Sequence, residues 1–240
     1  MRVAALYDVH GMLVPLEAVL EELQRDPVDA IVLGGDVVAG AHPAETLERL
    51  RALDGDVRWV RGNTDREVAE PESAEWPVAR WSGERLDAEQ RAFLAGLPER
   101  QELSLAGLGS VLFCHATPRS DEEIATPLTT DERLAGIVSG VTADVVVAGH
   151  THIQDDRAVG ALRWVNAGSV GMPYEGEVAA FWALLTPAGV ELRRTPFDVG
   201  AAVEALHGSG MPGADMFVAE NLLAAVSRDE AAAHLESRVA

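Results

Sequence analysis

Four short polar clusters, each placed where an apolar run ends, carry the side chains with which this sequence could do chemistry. They are Asp8-Val9-His10-Gly11, Gly35-Asp36, Gly62-Asn63-Thr64-Asp65 and Gly149-His150-Thr151-His152. A further histidine, His115, follows the apolar residues 111–114. Asp8, Asp36, Asn63, His10, His115, His150 and His152 form a mixed oxygen and nitrogen donor set. Such a set suits divalent manganese, iron, zinc, cobalt or nickel better than calcium or magnesium. Together the clusters read as one dinuclear centre. Two dications roughly 3.5–4 Å apart repel strongly, and a carboxylate between them offsets that repulsion. Asp36 is the natural bridge: it follows Gly34-Gly35, where backbone can approach closely, and stands alone at a strand end. A lone Asp-x-His occurs by chance, so the inference rests on four clusters in this order, each after a strand. His42, His207 and His234 lie outside any cluster and are assigned to the surface, with His42 a minor pocket candidate.

The elements that must position these residues follow from periodicity. Residues 3–7, 30–33, 57–60 and 145–148 are short runs of mainly aliphatic residues, as in strands buried on both faces. In an extended segment, alternation would point Asp8 and His10 the same way, and His150 with His152. Residues 13–24 carry Leu16, Val19, Leu20 and Leu23 at helical spacing, and residues 43–53 carry Leu47, Leu50 and Leu53. Strand, helix and strand in that order predict a parallel sheet. Residues 66–86, with Pro71, Trp76, Pro77 and Trp81, read as an irregular excursion whose tryptophans pack rather than line a pocket. A helix follows, capped by Asp87 and Gln90.

The second half is richer in strands: a hairpin over 101–106 and 110–114, then 162–166, 178–185 and 190–195. One helix intervenes, opened by the pair Thr129 and Glu132. Two packed sheets with helices outside fit this pattern better than one doubly wound sheet. Residues 197–240 are an Ala-rich helical tail, broken at Gly208-Ser209-Gly210 and Pro212-Gly213, with a capping pair in Ser227 and Glu230. The expected division is a catalytic unit over 1–196 and an accessory segment over 197–240, whose Leu206, Met211, Phe217, Leu222, Leu223 and Leu235 need covering by the core or by a second copy of the chain.

Composition limits the partners. With 240 residues, 48% of them hydrophobic, the chain can bury one large core. Nineteen basic against thirty-nine acidic residues give a net charge of −20, which repels nucleic-acid backbones and anionic lipid. A small phosphorylated substrate is expected rather than long nucleic acid or a membrane. No stretch reaches the roughly 18 apolar residues of a membrane span, and no cleavable leader pattern opens the chain, so a cytoplasmic location is expected. The single cysteine, Cys114, cannot form an internal disulfide and reads as a small buried hydrophobe.

The clusters resemble those of the calcineurin-like metallophosphoesterases: Asp-x-His-Gly at 8–11, Gly-Asp at 35–36, Gly-Asn-x-Asp at 62–65, His115 after a strand, and Gly-His-Thr-His at 149–152. The resemblance spans residues 1 to about 196. Gly34 to Val38, Val60 to Asn63, His115 to Arg119 and Val165 to Gly171 resemble the small bacterial and archaeal phosphodiesterase branch. The resemblance implies an α/β fold, a four-layer α/β/β/α sandwich of two mixed sheets flanked by helices, with the metals at strand ends. It also implies hydrolysis of a phosphodiester or phosphomonoester by a metal-bridging hydroxide. One metal would be held by Asp8, His10, Asp36 and His152, the other by Asp36, Asn63, His115 and His150, with Arg119 and Arg61 donating to the phosphate.

Two positions depart from the family pattern. Many relatives carry histidine after the asparagine, as a leaving-group acid held by the next residue; here Thr64 stands there, followed by Asp65. A threonine hydroxyl is a poor proton source, which leaves Asp65 as an orienting group or a loop holder. Met12 replaces a common asparagine. Two further readings stay open: a protein or dinucleoside polyphosphate phosphatase, and a non-catalytic scaffold with a vestigial metal site.

Overall fold

The computed structural model describes residues 1–239. Its strands, in chain order, are β1 (Val3–Leu6), β2 (Ala30–Leu33), β3 (Asp56–Trp59), β4 (Arg100–Leu105), β5 (Gly109–Cys114), β6 (Val145–Ala148), β7 (Asp155–Val159), β8 (Leu162–Asn166), β9 (Ala180–Thr186) and β10 (Gly189–Thr195). Every residue of β1 is buried, and successive side chains serve two cores. Ala4 and Leu6 pack under helices, whereas Val3 and Ala5 face a second sheet. This is the period-two alternation of a strand covered on both faces.

The first sheet has the order β10-β9-β1-β2-β3, and the second β4-β5-β6-β8-β7. β1, β2 and β3 run parallel in register, with Leu6 opposite Leu33 and Leu33 opposite Trp59. β5, β6 and β8 are likewise parallel. Helices α1 (Leu13–Arg25) and α2 (Pro43–Arg51) cover the outer face of the first sheet through Leu16, Val19, Leu47 and Leu50. Between the sheets lie Tyr7, Phe113, Val147, Val165 and Leu185. The Tyr7 hydroxyl donates to the Val147 carbonyl at 2.9 Å, so the one phenol in this layer is satisfied and ties the sheets together. The outer face of the second sheet is covered by Leu134 and Ile137 of α6 (Asp131–Ile137). The result is the four-layer α/β/β/α sandwich that the sequence implied.

Several local expectations change. Residues 66–86 are not irregular throughout: α3 (Asn63–Ala69) and α4 (Pro77–Gly83) lie there, each too short to show periodicity. Thr130, not Thr129, caps α6, accepting from Arg133 N at 3.3 Å. Thr129 instead accepts from Thr126 N at 2.9 Å. The Asp87 and Gln90 capping box of α5 (Ala88–Ala95) forms as expected, and so does the Ser227 cap, which accepts from Glu230 N. β7 was not foreseen.

The tail folds onto the rest of the chain as α7 (Val199–Ser209), α8 (Ala214–Phe217), a π-helical turn at Val218–Leu222 and α9 (Arg228–Glu236). Gly208 and Ser209 belong to α7, which ends at left-handed Gly210. Leu206, Met211 and Leu222 are buried in one cluster with Met12 and Ala41. Met12 therefore gives α1 no side-chain cap and anchors the tail instead. Ala231 and Ala232 of α9 pack on Ile153, and Glu236 pairs with Arg133 at 2.7 Å. Phe217 and Leu235 are half-buried, while Leu223 stays 71% exposed. Among the described residues, no helix is long and apolar enough to cross a membrane.

Candidate metal centre

Among the described residues, five that are not glycine have positive φ, and all five are predicted ligands: Asp8 (53°), His10 (50°), Asp36 (55°), His150 (66°) and His152 (59°). The left-handed region costs an L residue roughly 1–2 kcal/mol because Cβ crowds the following carbonyl. Strand alternation therefore does not aim these side chains. β1, β2 and β6 stop at Leu6, Leu33 and Ala148, and the ligands lie on the left-handed turns beyond them. Backbone bonds between loops hold the turns: Asp8 N donates to Gly35 O at 3.1 Å and His10 N to Asp36 O at 2.9 Å. Side chains complete the frame. Asn166 donates to Gly149 O at 2.7 Å, Ser169 Oγ donates to Asp8 O at 2.8 Å, and Asp8 Oδ2 accepts from His150 N at 2.9 Å.

Two groups of ligand atoms result. Asp8, His10 and His152 form one, Asp36, His115 and His150 the other, each with its ligand atoms within 4.8 Å of one another. Asp8 Oδ1 lies 3.2 Å from His152 Nε2 and 3.9 Å from His10 Nε2. Asp36 Oδ2 lies 3.4 Å from His115 Nε2 and 3.9 Å from His10 Nε2, between the two groups. Asn63 Oδ1 is 3.0 Å from His115 Nε2. All seven predicted ligands are thus brought together.

The chemistry of the donors tests whether cations fit. Carbonyl oxygens face three Nδ1 atoms: Ala39 O on His10 at 3.2 Å, Met172 O on His152 at 2.7 Å, and Gly34 O on His115 at 2.9 Å. A carbonyl only accepts, so each Nδ1 carries a proton, which leaves Nε2 of His10 and His152 to turn a lone pair inward. His10 Nε2 and His152 Nε2 are then 3.1 Å apart, lone pair toward lone pair. Asp8 Oδ1 beside them is buried and accepts no hydrogen bond. Acceptors converging without a donor are unfavourable unless a cation lies among them, and the residues fit one.

The protonation states agree. Burial lowers His10, and neighbouring His152 adds to the effect. Burial and His115 push His150 down to about 4. Burial alone would raise Asp36 and Asp8, but His115 and His152 respectively hold them below the usual carboxylate range. Neutral imidazoles and ionised carboxylates are the forms that bind metal. Burial opposes a charge on His115, yet Asp36 raises it to about 10. Its extra proton sits where a cation would replace it.

Asp65 has a different place. Its Oδ2 accepts from Asp36 N at 2.8 Å and Gly62 N at 2.9 Å, and its Oδ1 accepts from Val37 N at 3.0 Å. It is fully buried and does not line the cleft, so it holds the loop and cannot orient a group at position 64. Thr64 N donates to Asp36 Oδ1 at 2.9 Å, and Thr64 borders the cleft with its hydroxyl oxygen buried and unpartnered. Arg61 pairs with Glu99 at 3.0 Å, and neither it nor Arg119 lines the cleft. Arg119 pairs with Glu123 at 2.9 Å and lines a smaller cavity that His115 also borders.

The cleft over the ligands measures about 490 Å³. Its walls include residues the sequence reading left out: Glu67, Glu75, Glu122, Met172, Tyr174, Leu235 and Arg238. Trp76 lines it too, with its ring 5.9 Å from the His10 ring, although packing was its expected role. Tyr174 stacks at 5.0 Å on His152. The only advance signal for Tyr174 is its position just after the Asn166 to Gly171 segment.

Known proteins are similar to this chain in sequence and fold. An uncharacterised protein of Methanocaldococcus jannaschii is 26% identical, matching 88% of this chain and 93% of its own. The phosphodiesterase YfcE of Escherichia coli is 28% identical over 191 residues, which is 74% of this chain and 83% of that one. Among solved structures, a metallophosphoesterase from Sphaerobacter thermophilus superposes with a TM-score of 0.74 at 25% identity, covering 93% of this chain and 99% of that one. A hypothetical protein of Pyrococcus horikoshii reaches a TM-score of 0.80 at 20% identity, over 90% and 97% of the two chains. The model of the calcineurin-like phosphoesterase superfamily domain matches residues 1–187, a span that holds every ligand described above, and the chain belongs to that superfamily.

Proposed function

We propose that this chain is a metal-dependent phosphodiesterase with a dinuclear centre. One ion would be held by Asp8, His10, Asp36 and His152, the other by Asp36, Asn63, His115 and His150. The observation that carries this reading is the inward convergence of Nε2 lone pairs beside an unpartnered Asp8 oxygen, with Asp36 Oδ2 between the two groups. When bound, divalent transition metals acidify water and polarise phosphoryl oxygens. The chain supplies the rest. The carbonyls behind His10, His115 and His152 hold each Nδ1 as a donor and aim each Nε2 inward, where a bound cation would replace the extra proton of His115. Thr64 holds Asp36 Oδ1 in place through its backbone N–H.

A diester fits better than a monoester. Glu67 and Glu75 line the cleft and repel a dianion more than a monoanion, while Glu122 beside them is paired with Arg66. YfcE, whose name makes it a phosphodiesterase, supports the same preference. The test is to strip the protein with a chelator, reload it with manganese, and measure metal content and hydrolysis of bis(4-nitrophenyl) phosphate. Up to two ions and metal-dependent turnover are expected, with both occupancies reduced in Asp36→Ala. Metal-loaded protein that hydrolyses no phosphate ester would leave the scaffold reading in its place.

A further inference from the structure

The cleft is lined unequally. Its lining falls into two sets: Glu67, Glu75 and Glu122, which also border a neighbouring cavity and of which Glu122 pairs with Arg66 at 2.7 Å, and Met172, Tyr174, Leu235 and Arg238, the last two from the tail. Arg238 is the one arginine lining the cleft, and among the described residues it pairs with no carboxylate. The same four residues also border a second cavity of about 420 Å³, closed by Val226, Ala231 and His234, with Glu220 and Glu230 at its edge. The cleft therefore adjoins a chamber beside α9 whose walls mix apolar and charged side chains. The loop that orients His152 also carries the tail. Met172 O faces His152 Nδ1, Gly176 N donates to Val226 O at 2.8 Å, and Glu175 pairs with Arg228 at 2.7 Å.

We infer that the tail is the substrate-selecting element: the organic group of a nucleoside phosphodiester enters the chamber beside α9, and Arg238 at the junction pairs with the anionic phosphate. This rests on the phosphodiesterase reading above. An anionic ester is repelled by Glu67 and Glu75 and directed to the cation of Arg238. A flat group finds the ring of Tyr174 and the aliphatic faces of Ala231, Val226 and Leu235, while Glu220 and Glu230 accept from hydroxyl or amino groups. Arg238 is two residues beyond α9 and exposed, so changing it disturbs no packing.

The manganese-loaded full chain would be assayed with two esters that share a leaving group, methyl 4-nitrophenyl phosphate and thymidine 5′-(4-nitrophenyl phosphate). The thymidine ester should have a kcat/KM about tenfold higher or more. His234→Trp, which fills the chamber from an exposed position, should bring the two esters to within about twofold of each other. Arg238→Ala should raise KM for both esters about tenfold while moving kcat little, the signature of lost ground-state binding, and Arg238→Lys should recover most of it. Equal handling of the two esters by the wild type, or an unchanged KM in Arg238→Ala, would overturn the inference. If neither ester is turned over, the phosphodiesterase reading fails first. Calorimetric titration with thymidine 5′-phosphate then decides the chamber: weaker binding by His234→Trp supports it, and equal binding rejects it.

Discussion

Gly62→Ala isolates how closely Asp36 is packed. The φ of −92° and ψ of 174° at Gly62 are open to alanine, so the backbone itself exacts no penalty. Alanine there even restricts the unfolded chain, a gain of about 0.4–1 kcal/mol. The added Cβ, however, would lie 2.1 Å from Asp36 Oδ1 and 2.5 Å from Asp36 N, more than 1 Å short of ordinary contact. Asp36 cannot yield freely. Its N donates to Asp65 at 2.8 Å, its O accepts from His10 N at 2.9 Å, and its Oδ1 accepts from Thr64 N at 2.9 Å. Relief must break the Thr64 bond or push the loop outward.

Losing a hydrogen bond to a charged group costs about 1.5–3 kcal/mol, and overpacking about 1–3 kcal/mol. Relaxation that breaks the bond also eases the overlap, so the two do not add fully, and a net loss of about 2–4 kcal/mol is expected. In a chain of this size that lowers Tm by roughly 4–16 °C. Metal affinity should fall by roughly 10–100-fold, as when a group supporting a ligand is lost. Calorimetric unfolding and titration of manganese into stripped protein measure the two effects. Gly136→Ala is the control: nothing lies within 4 Å of its Cβ, and in α6 alanine should stabilise by about 0.5–1 kcal/mol with metal binding unchanged. Wild-type metal affinity in Gly62→Ala would refute the claim that Asp36 is clamped.

Asp65→Asn removes a carboxylate that accepts three backbone N–H bonds, and at least one of those donors must face an NH2 group; a loss of about 2–4 kcal/mol is expected by calorimetry. A purely catalytic Asp65 would leave Tm where it was. Thr64→His should speed alkyl ester hydrolysis more than aryl, by roughly tenfold rather than the 10²–10⁴ of a well-positioned acid, because Asp65 is not free to orient the imidazole. Comparable gains on both ester classes would show that position 64 acts through phosphate positioning. Burial pushes the Cys114 thiol up to about 12, three units above its ordinary value. Raising an acid's pKa shrinks its thiolate fraction at pH 8, so alkylation by iodoacetamide should be roughly a thousandfold slower than in denaturant. Native labelling within minutes would contradict that.

The convergence of the candidate ligands was legible because their types and order are rare in combination, and because parallel strands put their carboxyl ends at one edge. The conformation that aims them was not. Alternation along an extended chain foresaw Asp8 beside His10 for the wrong reason: Asp and His are among the non-glycine residues that enter the left-handed region most readily, but residue type alone does not say where the chain does so. β7 escaped because it is an edge strand whose Asp155, Asp156 and Arg157 hide the apolar alternation. α3 was masked by its own chemistry: the Gly-Asn-Thr-Asp cluster reads as a loop, yet Asn63 is the first residue of the helix. Arg238 and Leu235 reach the cleft only through the way the tail docks, and spacing along the chain says nothing of that.

Five left-handed ligands at roughly 1–2 kcal/mol each set a local cost on the order of 5–10 kcal/mol, comparable to the net stability of a domain. Facing lone pairs on His10 and His152 add to it. Such a site persists only if the surroundings over-determine it. That explains why the groups around it are so fully engaged: Asp65 accepts three amide protons, Asn166 and Ser169 bridge the loops, and Tyr7 ties one sheet to the other directly beneath. Gly34 belongs to the same support, because the Tyr7 ring occupies the space a Cβ would need, 2.0 Å away. The strain is local while the restraint is spread over both sheets. Substitutions in the restraining groups should therefore lower stability and metal affinity together, whereas replacing a ligand can relieve repulsion and stabilise the metal-free chain while abolishing binding.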